Sequence, residues 1–487
     1  MLSGPTTSPT HPAGADDGRA DSPIGPSRAV VAIVLVLLLA FTATVHVGHV
    51  LRYRQLSPVD ELQHLDYLIR APRGDIPGSG DLFLQESARI QTCARLDEGF
   101  DAVVPPCVTD DQVMLDIKAF QEAGFNTAFI HPPTYYLING VLARVIDAAI
   151  PGEQSLLTTG RLAALVWSLA GVGFMWLLFA ELRARLWARA ALIVIIVSAP
   201  VVLHGSATVN LDGTAIFFGS AILWAALRWE RGKLGAWAPV LLSALAAGTK
   251  VNNIVAVGVA VLYLGFSEWQ SRRDPEGVEG ARVADGQDGS VVVARRTTWF
   301  TPRLRVAFAM LAATVVVSVA WLVAQRLLQV LPPTEIPMII RFRIDRFPLT
   351  ELTTSWHQAV SPLQSPYLAP FLRTRPVLAM SGVIDLAIMA GAVAGAVMAQ
   401  RVSREKRIAI VALALAVLLG PALVVFNAVV QDVYVVIPPR YGLALVPALA
   451  AAAIPVLRRS VGIVMVSVLA VAAGGAVLLA VLFPAPV

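Results

Sequence analysis

Residues 29–51 read AVVAIVLVLLLAFTATVHVGHVL, a run without Asp, Glu, Lys or Arg. About 20 apolar residues in a helix cross the hydrocarbon core of a bilayer, so this run predicts a membrane-spanning helix. Just beyond it, residues 60–67 read DELQHLDY. Asp60, Glu61, His64 and Asp66 therefore stand on the lip of a membrane rather than in a soluble core. Charge is costly to place so close to lipid, and a cluster there points to a use for it.

The whole chain agrees with that start. It has 487 residues, 56% hydrophobic and 15% charged, where a soluble globular protein carries about 25% charged residues. Long apolar runs exclude an outer-membrane barrel, which is built from short alternating strands. The expected fold is an all-α polytopic membrane protein with about 11 transmembrane helices, over 29–51, 155–180, 189–206, 211–229, 234–250, 251–267, 304–331, 376–399, 408–430, 441–457 and 461–483. A cleaved signal peptide is the other reading of the first run, since Ala-Phe-Thr-Ala offers small residues. Its length and the many later runs favour an uncleaved helix.

The pI near 9.4 does not imply a nucleic-acid partner, because the basic residues cluster between apolar runs. These clusters are Arg183, Arg185 and Arg189; Arg231 and Lys233; Arg272, Arg273, Arg295, Arg296, Arg303 and Arg305; Arg401, Arg404, Lys406 and Arg407; and Arg458 with Arg459. With all five inside, the path alternates, the N-terminus is cytoplasmic and the C-terminus outside. Residues 1–28 are expected to be a disordered cytoplasmic tail, and 29–487 a membrane domain. Within it, 52–154 is a long extracytoplasmic first loop with interfacial helices, 268–303 a disordered cytoplasmic loop, and 332–375 a second larger outer loop. Residues 134–150 are apolar but carry Asn139, Arg144 and Asp147. They are expected to lie in the interface, a short span being the alternative. Cys93 and Cys107 both fall in the first outer loop, where a disulfide is plausible and two free thiols are the other reading.

Five places could do chemistry, all at outer ends of runs. In a helical turn Asp60 and His64 share a face with Glu61 beside them, and such a set can hold a divalent cation or relay a proton. A solvated loop start with ordinary charges is the plainer reading. Asp212, in Asn210-Leu211-Asp212, is either a first-turn acid or a second carboxylate facing Asp60. Lys250, near Asn252 and Asn253, can bind a lipid phosphate at headgroup depth or simply snorkel. Arg440, before Tyr441, offers a fork for phosphate oxygens or an interfacial anchor. His131, in the run His131-Pro132-Pro133-Thr134-Tyr135-Tyr136, is held extended by the prolines, and the rings line a sugar site or pack as a turn. There is no G-x-S-x-G elbow, no H-E-x-x-H, no cysteine pair with metal spacing and no phosphate loop at Lys250. No soluble nucleotide-binding domain is left once the spans are drawn.

Taken together these pieces resemble the GT-C superfamily of membrane glycosyltransferases, through Pro58-Val59-Asp60-Glu61 with His64, the His131–Tyr136 motif, Asn210-Leu211-Asp212, the Lys250 region and Arg440-Tyr441. The Ala, Val, Arg and Pro bias resembles that of a high-GC, actinobacterial-type chain. The resemblance implies a bacterial plasma-membrane enzyme with its active site outside. Such an enzyme takes a sugar from a polyprenyl-phosphate donor, usually with inversion, to a cell-envelope glycan, glycolipid or protein acceptor. It implies Asp60, Glu61 and Asp212 as the catalytic acids. His64, His131, Tyr135, Lys250, Asn252, Arg440 and Tyr441 would contact substrate, with Lys250 and Arg440 on the donor phosphate. Asp60, Glu61 and His64 would hold a divalent cation, Mg²⁺ or Mn²⁺, in members that use one. A transporter or lipid flippase would want charges deep within spans or inverted repeats, and a non-catalytic envelope scaffold would tolerate loss of these charges.

Overall fold

The computed structural model describes residues 26–96, 105–150, 155–273, 300–358, 360–365 and 367–483. Most of residues 1–28 and of the 268–303 loop lie outside the described residues. Among the described residues the structure is helical, with three isolated bridges and no extended strand.

Eight helices are long and apolar enough to cross a membrane: Arg28–Arg52, Leu156–Glu181, Leu211–Glu230, Val251–Arg273, Pro302–Leu327, Arg375–Met398, Arg404–Val430 and Ser460–Leu482. A ninth span is a bent pair, Leu186–Ser198 with Pro200–Ala207, turned by 65°. This is a multi-pass membrane protein. Two of the eleven expected runs do not form a long helix. Residues 234–250 build only Trp237–Ala247, ending at the Gly248-Thr249 step before Lys250. Residues 441–457 break into a 3-10 stretch Pro439–Leu445, a short helix Val446–Ala452 and a 3-10 turn Val456–Arg458. Pro447 and Pro455 each remove a backbone donor there. The bend in the ninth span has the same cause, since Pro200 follows extended Ala199. Residues 268–273, expected in a cytoplasmic loop, continue the Val251–Arg273 helix.

Side-chain contacts sort the helix ends into two groups. At one end, Arg228 and Arg231 pair with Glu181, Arg303 and Arg404 with Glu230, and Arg458 with Glu405. Arg231, Arg303, Arg404 and Arg458 come from four of the five basic clusters expected inside. At the other end lie the Asn210 turn, Lys250, Arg440 and the first loop. Leu211–Glu230 is the central helix, 83% of its apolar window being buried against 22% for Pro302–Leu327 and Ser460–Leu482.

The first loop is folded over one end of the bundle. It carries the helices Glu61–Arg70, Gln85–Ala94 and Thr134–Ala149. All ten residues of Glu61–Arg70 are buried. Cys93 and Cys107 are disulfide-bonded, closing part of the loop. The 16-residue Thr134–Ala149 helix is too short to count as a span and leaves Leu137, Ile138, Val141 and Val145 exposed along one face. Its opposite face packs on the first loop, where Gly140 comes so close that a Cβ would lie 2.5 Å from the Leu68 carbonyl oxygen. The packed face carries Tyr135, Tyr136, Asn139, Gly140 and Ala143, so both faces of this helix are largely apolar.

Close approach also seats Arg440. The 3-10 stretch Pro439–Leu445 lies against the central helix at Gly219, where a Cβ would meet the Ala444 carbonyl oxygen at 2.4 Å. Gly219→Ala should force the two elements apart and destabilise the protein by about 1–3 kcal/mol, read as a lowered thermal midpoint in detergent. Gly173→Ala, where a Cβ meets nothing within 4 Å, is the matched control and should leave the midpoint within error.

Candidate active site

The site begins at the backbone of Asp60. It has φ 57° and ψ 13°, the left-handed region, and immediately precedes the Glu61–Arg70 helix. Asp tolerates this conformation better than most residues, and such strain collects at functional positions. The turn sends Asp60 and Glu61 to different environments. Asp60 is exposed, whereas Glu61 is fully buried.

Glu61 is held by four donors. Arg161 Nε donates to Oε1 at 2.8 Å and its Nη2 to Oε2 at 2.6 Å. The backbone N–H of Val209 meets Oε1 at 2.8 Å and that of Ser57 meets Oε2 at 2.6 Å. Arg161 also donates to the Tyr53 and Gln55 carbonyls. With both oxygens occupied, Glu61 can neither take a proton from substrate nor bind a cation. Its expected catalytic role is corrected to a structural one. Arg161 was readable in the sequence as an arginine inside an apolar run, which demands a buried partner.

Two further expectations change with this geometry. Asp60 does not share a helical face with His64, because it lies outside the helix. His64 Nδ1 is 2.7 Å from the Tyr136 hydroxyl, and its ring stands 5.5 Å from that of His131. Among the described residues no three His, Cys, Asp or Glu side chains come together as a metal site requires. The expected Asp60–Glu61–His64 cation site is therefore not formed, Glu61 being engaged by Arg161 and His64 by Tyr136.

What does come together is Asp212 with Lys250 and Arg440. Lys250 Nζ bonds Asp212 Oδ1, and Arg440 Nε lies 3.0 Å from Oδ2. The Asn210 side chain accepts from the Asp212 backbone N–H at 2.9 Å and so fixes the turn. Tyr441 presents its ring to both cations, at 5.6 Å from Lys250 Nζ and 5.7 Å from Arg440 Cζ, within reach of a cation–π attraction. Asn252 lies close to the Tyr441 side chain. Two cations share one carboxylate, which leaves a surplus positive charge in a partly buried place. A small cleft opens onto this group and is lined by Ser57, Val59, His204, Asp212, Tyr367 and Arg440. The second outer loop thus reaches the site through Tyr367.

Asp60 belongs to the same field. Crowding by surrounding protein raises its carboxyl above the ordinary value, while Arg440 and Lys250 pull it down and Glu122 and Asp212 push it up. The histidines nearby stay neutral. Burial holds His131 down at about 3, with Lys250 adding to the effect and Asp212 opposing it. Burial and His131 keep His64 well below its ordinary value. Trp321 and Gln325 donate to the Ile130 and Phe129 carbonyls and clamp the His131 segment. His131 Nδ1 is buried without a partner. Tyr135 and Tyr136 are fully buried; Tyr136 stacks on Tyr67 at 3.8 Å and Tyr135 on Trp167 at 6.3 Å.

A second carboxylate holds the floor. Asp66 accepts from Arg70 Nε at 2.8 Å, Leu84 N at 2.8 Å, Ser87 Oγ at 2.6 Å and Asn126 Nδ2 at 2.7 Å. It ties three stretches of the first loop together. Sequence alone offered no sign that Asp66 and Glu61 are the structural acids and Asp60 the free one.

No family model matches the chain, and no curated protein matches it. Among solved structures it is similar to the crystal structure of ArnT from Cupriavidus metallidurans bound to undecaprenyl phosphate. That match has 16% identity, covers 88% of this chain and 60% of that one, and has a TM-score of 0.44. The same protein in the apo state matches at 15% identity over 91% and 78% of the two chains, with a TM-score of 0.33. The S. cerevisiae protein O-mannosyltransferase Pmt1-Pmt2 complex bound to the sugar donor matches at 14% identity over 61% and 33%, with a TM-score of 0.35. The chain thus spans about 60% of the undecaprenyl-phosphate-bound ArnT.

Removing one partner of the Glu61–Arg161 pair strands a buried charge. Arg161→Met should cost about 3–5 kcal/mol, seen as a much lower thermal midpoint. Glu61→Leu combined with Arg161→Met should recover part of that loss. A single variant as stable as wild type would remove the pair from the centre of the fold.

Proposed function

We propose that the protein is a membrane glycosyltransferase. It would move a sugar from a polyprenyl-phosphate donor to a hydroxyl of a cell-envelope glycan, glycolipid or protein on the outer face of a bacterial plasma membrane. The observation that carries this reading is the cation pair on Asp212, set beside an exposed carboxylate, Asp60, at one end of the bundle. Two cations on one carboxylate suit the phosphate of a lipid donor at headgroup depth. A free carboxylate of raised pKa suits a general base.

In this reading the acceptor hydroxyl attacks the anomeric carbon of the sugar, with inversion. Its proton passes to Asp60. The bond between that carbon and the phosphate oxygen breaks, and the electron pair leaves with the polyprenyl phosphate. Lys250 and Arg440 stabilise the charge that grows on the leaving oxygens. Asp212 acts as the positioning residue that holds the two cations together, its own oxygens being engaged by them. Asn252 and Tyr441 support Lys250 and Arg440, and the unpartnered His131 Nδ1 offers one neutral contact to sugar or phosphate. No step is routed through Mg²⁺ or Mn²⁺, because the acids do not assemble as a donor set.

The test is transfer of label from a panel of polyprenyl-phosphate pentoses and hexoses to envelope acceptors, with and without EDTA. Asp60→Asn should lower turnover by about 10²-fold or more while the thermal midpoint holds. Lys250→Met and Arg440→Gln should each weaken undecaprenyl phosphate binding by about tenfold. Undiminished transfer by the Asp60 variant would overturn the base assignment. A base acts only when ionised, so turnover should fall as the pH drops through the raised Asp60 value. The acid limb of the kcat profile should therefore lie above the ordinary carboxylate value of 3.8.

A further inference from the structure

Beside the cation pair runs a hydrogen-bonded chain that the proposed reaction does not use. His49, from the Arg28–Arg52 helix, places Nε2 3.2 Å from His204 Nδ1. His204, near the end of Pro200–Ala207, places Nε2 3.3 Å from Ser57 Oγ. Ser57 Oγ also accepts from the Val59 backbone N–H at 3.4 Å. All three side chains are buried, Ser57 at 2% exposure. Ser57 and His204 line the same cleft as Asp212 and Arg440. His49 Nδ1 has no partner.

The unpartnered atom sets the direction of the chain. Neither ring hydrogen-bonds a carboxylate, so each is taken as neutral, with one N–H and one lone pair. If Ser57 donated to His204, then His204 would donate to His49, and His49 would keep a buried N–H with nothing to receive it. An orphaned buried donor is the rarer and costlier defect. In the opposite direction His49 donates to His204, His204 donates to Ser57, and only a lone pair is left over at His49 Nδ1. Ser57 Oγ then accepts from His204 and from Val59 N–H, and its own O–H is free to point into the cleft. Aligned bonds of this kind polarise one another and strengthen the last donor.

We infer that the Ser57 hydroxyl, aimed by the His49–His204–Ser57 chain, is a hydrogen-bond donor to the phosphate that sits against Arg440. This inference rests on the donor reading above and adds a neutral donor to its two cations. The ligand chemistry is a phosphate oxygen, borne either by a polyprenyl lipid or by free phosphate.

Binding of undecaprenyl phosphate and of inorganic phosphate to the full-length protein in nanodiscs tests it. Ser57→Ala should raise the Kd for undecaprenyl phosphate about tenfold, whereas Ser57→Thr, which keeps a hydroxyl, should bind as wild type. Ser57→Cys, near in size but a weak donor, should behave like Ser57→Ala and serves if the alanine variant folds poorly. The kcat–pH profile should not move, because a donor takes no proton from the acceptor. Inorganic phosphate competing at similar strength would assign the site to the phosphate alone, and failure to compete would assign it to the lipid-borne ester. Ser57→Ala and Ser57→Cys both binding as wild type, while Arg440→Gln loses the ligand, would overturn the Ser57 assignment and leave the site standing. An unchanged Kd with a shifted acid limb would make the chain a proton acceptor and overturn it as well. Wild-type protein that binds no undecaprenyl phosphate would remove the donor reading and this inference together.

Discussion

The Glu61–Arg161 pair is the interaction on which the rest of the structure depends. Neither residue is more than 1% exposed. Isolated charges at that depth would be prohibitive. They persist because a bidentate fork and two backbone N–H groups saturate the carboxylate, while the guanidinium also meets two backbone carbonyls. These bonds join the end of the first span, the start of the first loop, the head of the second span and the turn before the central helix. Such a knot has one geometry. Once Glu61 is tied, Asp60 must leave the helix in a left-handed turn, and Val209 must bring Asn210 and Asp212 alongside.

Three carboxylates of similar sequence context then receive three different fates. Glu61 is neutralised by an arginine from another helix. Asp66 is consumed by four donors within the first loop. Asp60 alone stays open to water, near two cations held by a fourth acid, Asp212. The division follows from the number of donors that reach each group. The histidines divide in the same way, His64 on a tyrosine, His131 unpartnered, and His49 and His204 on each other. Each of the partnered rings is thereby oriented by what it touches.

The large features were legible along the chain. Uncharged runs marked the helices, because length and hydropathy alone decide whether a segment can cross lipid. Clustered arginines marked one end of the bundle, and the contacts at Glu181, Glu230 and Glu405 place those clusters together. Lys250, Asp212 and Arg440, far apart in sequence, were each placed at the opposite end, and there they meet. The breaks at Pro200, Pro447 and Pro455 were also visible as prolines, but whether a proline kinks a span or divides it depends on what packs around it.

The sequence by itself determined a polytopic helical protein, and it placed Lys250, Asp212 and Arg440 at the same end of the bundle. Hydropathy and charge are additive along a chain, so they survive without coordinates. Only the tertiary structure decided which acid is free, that the cation set at 60–64 is not assembled, that Asp212 binds two cations, and that a serine–histidine chain lies beside them. Those outcomes depend on which distant donor reaches which oxygen within about 3 Å, and no local pattern in the chain carries that distance.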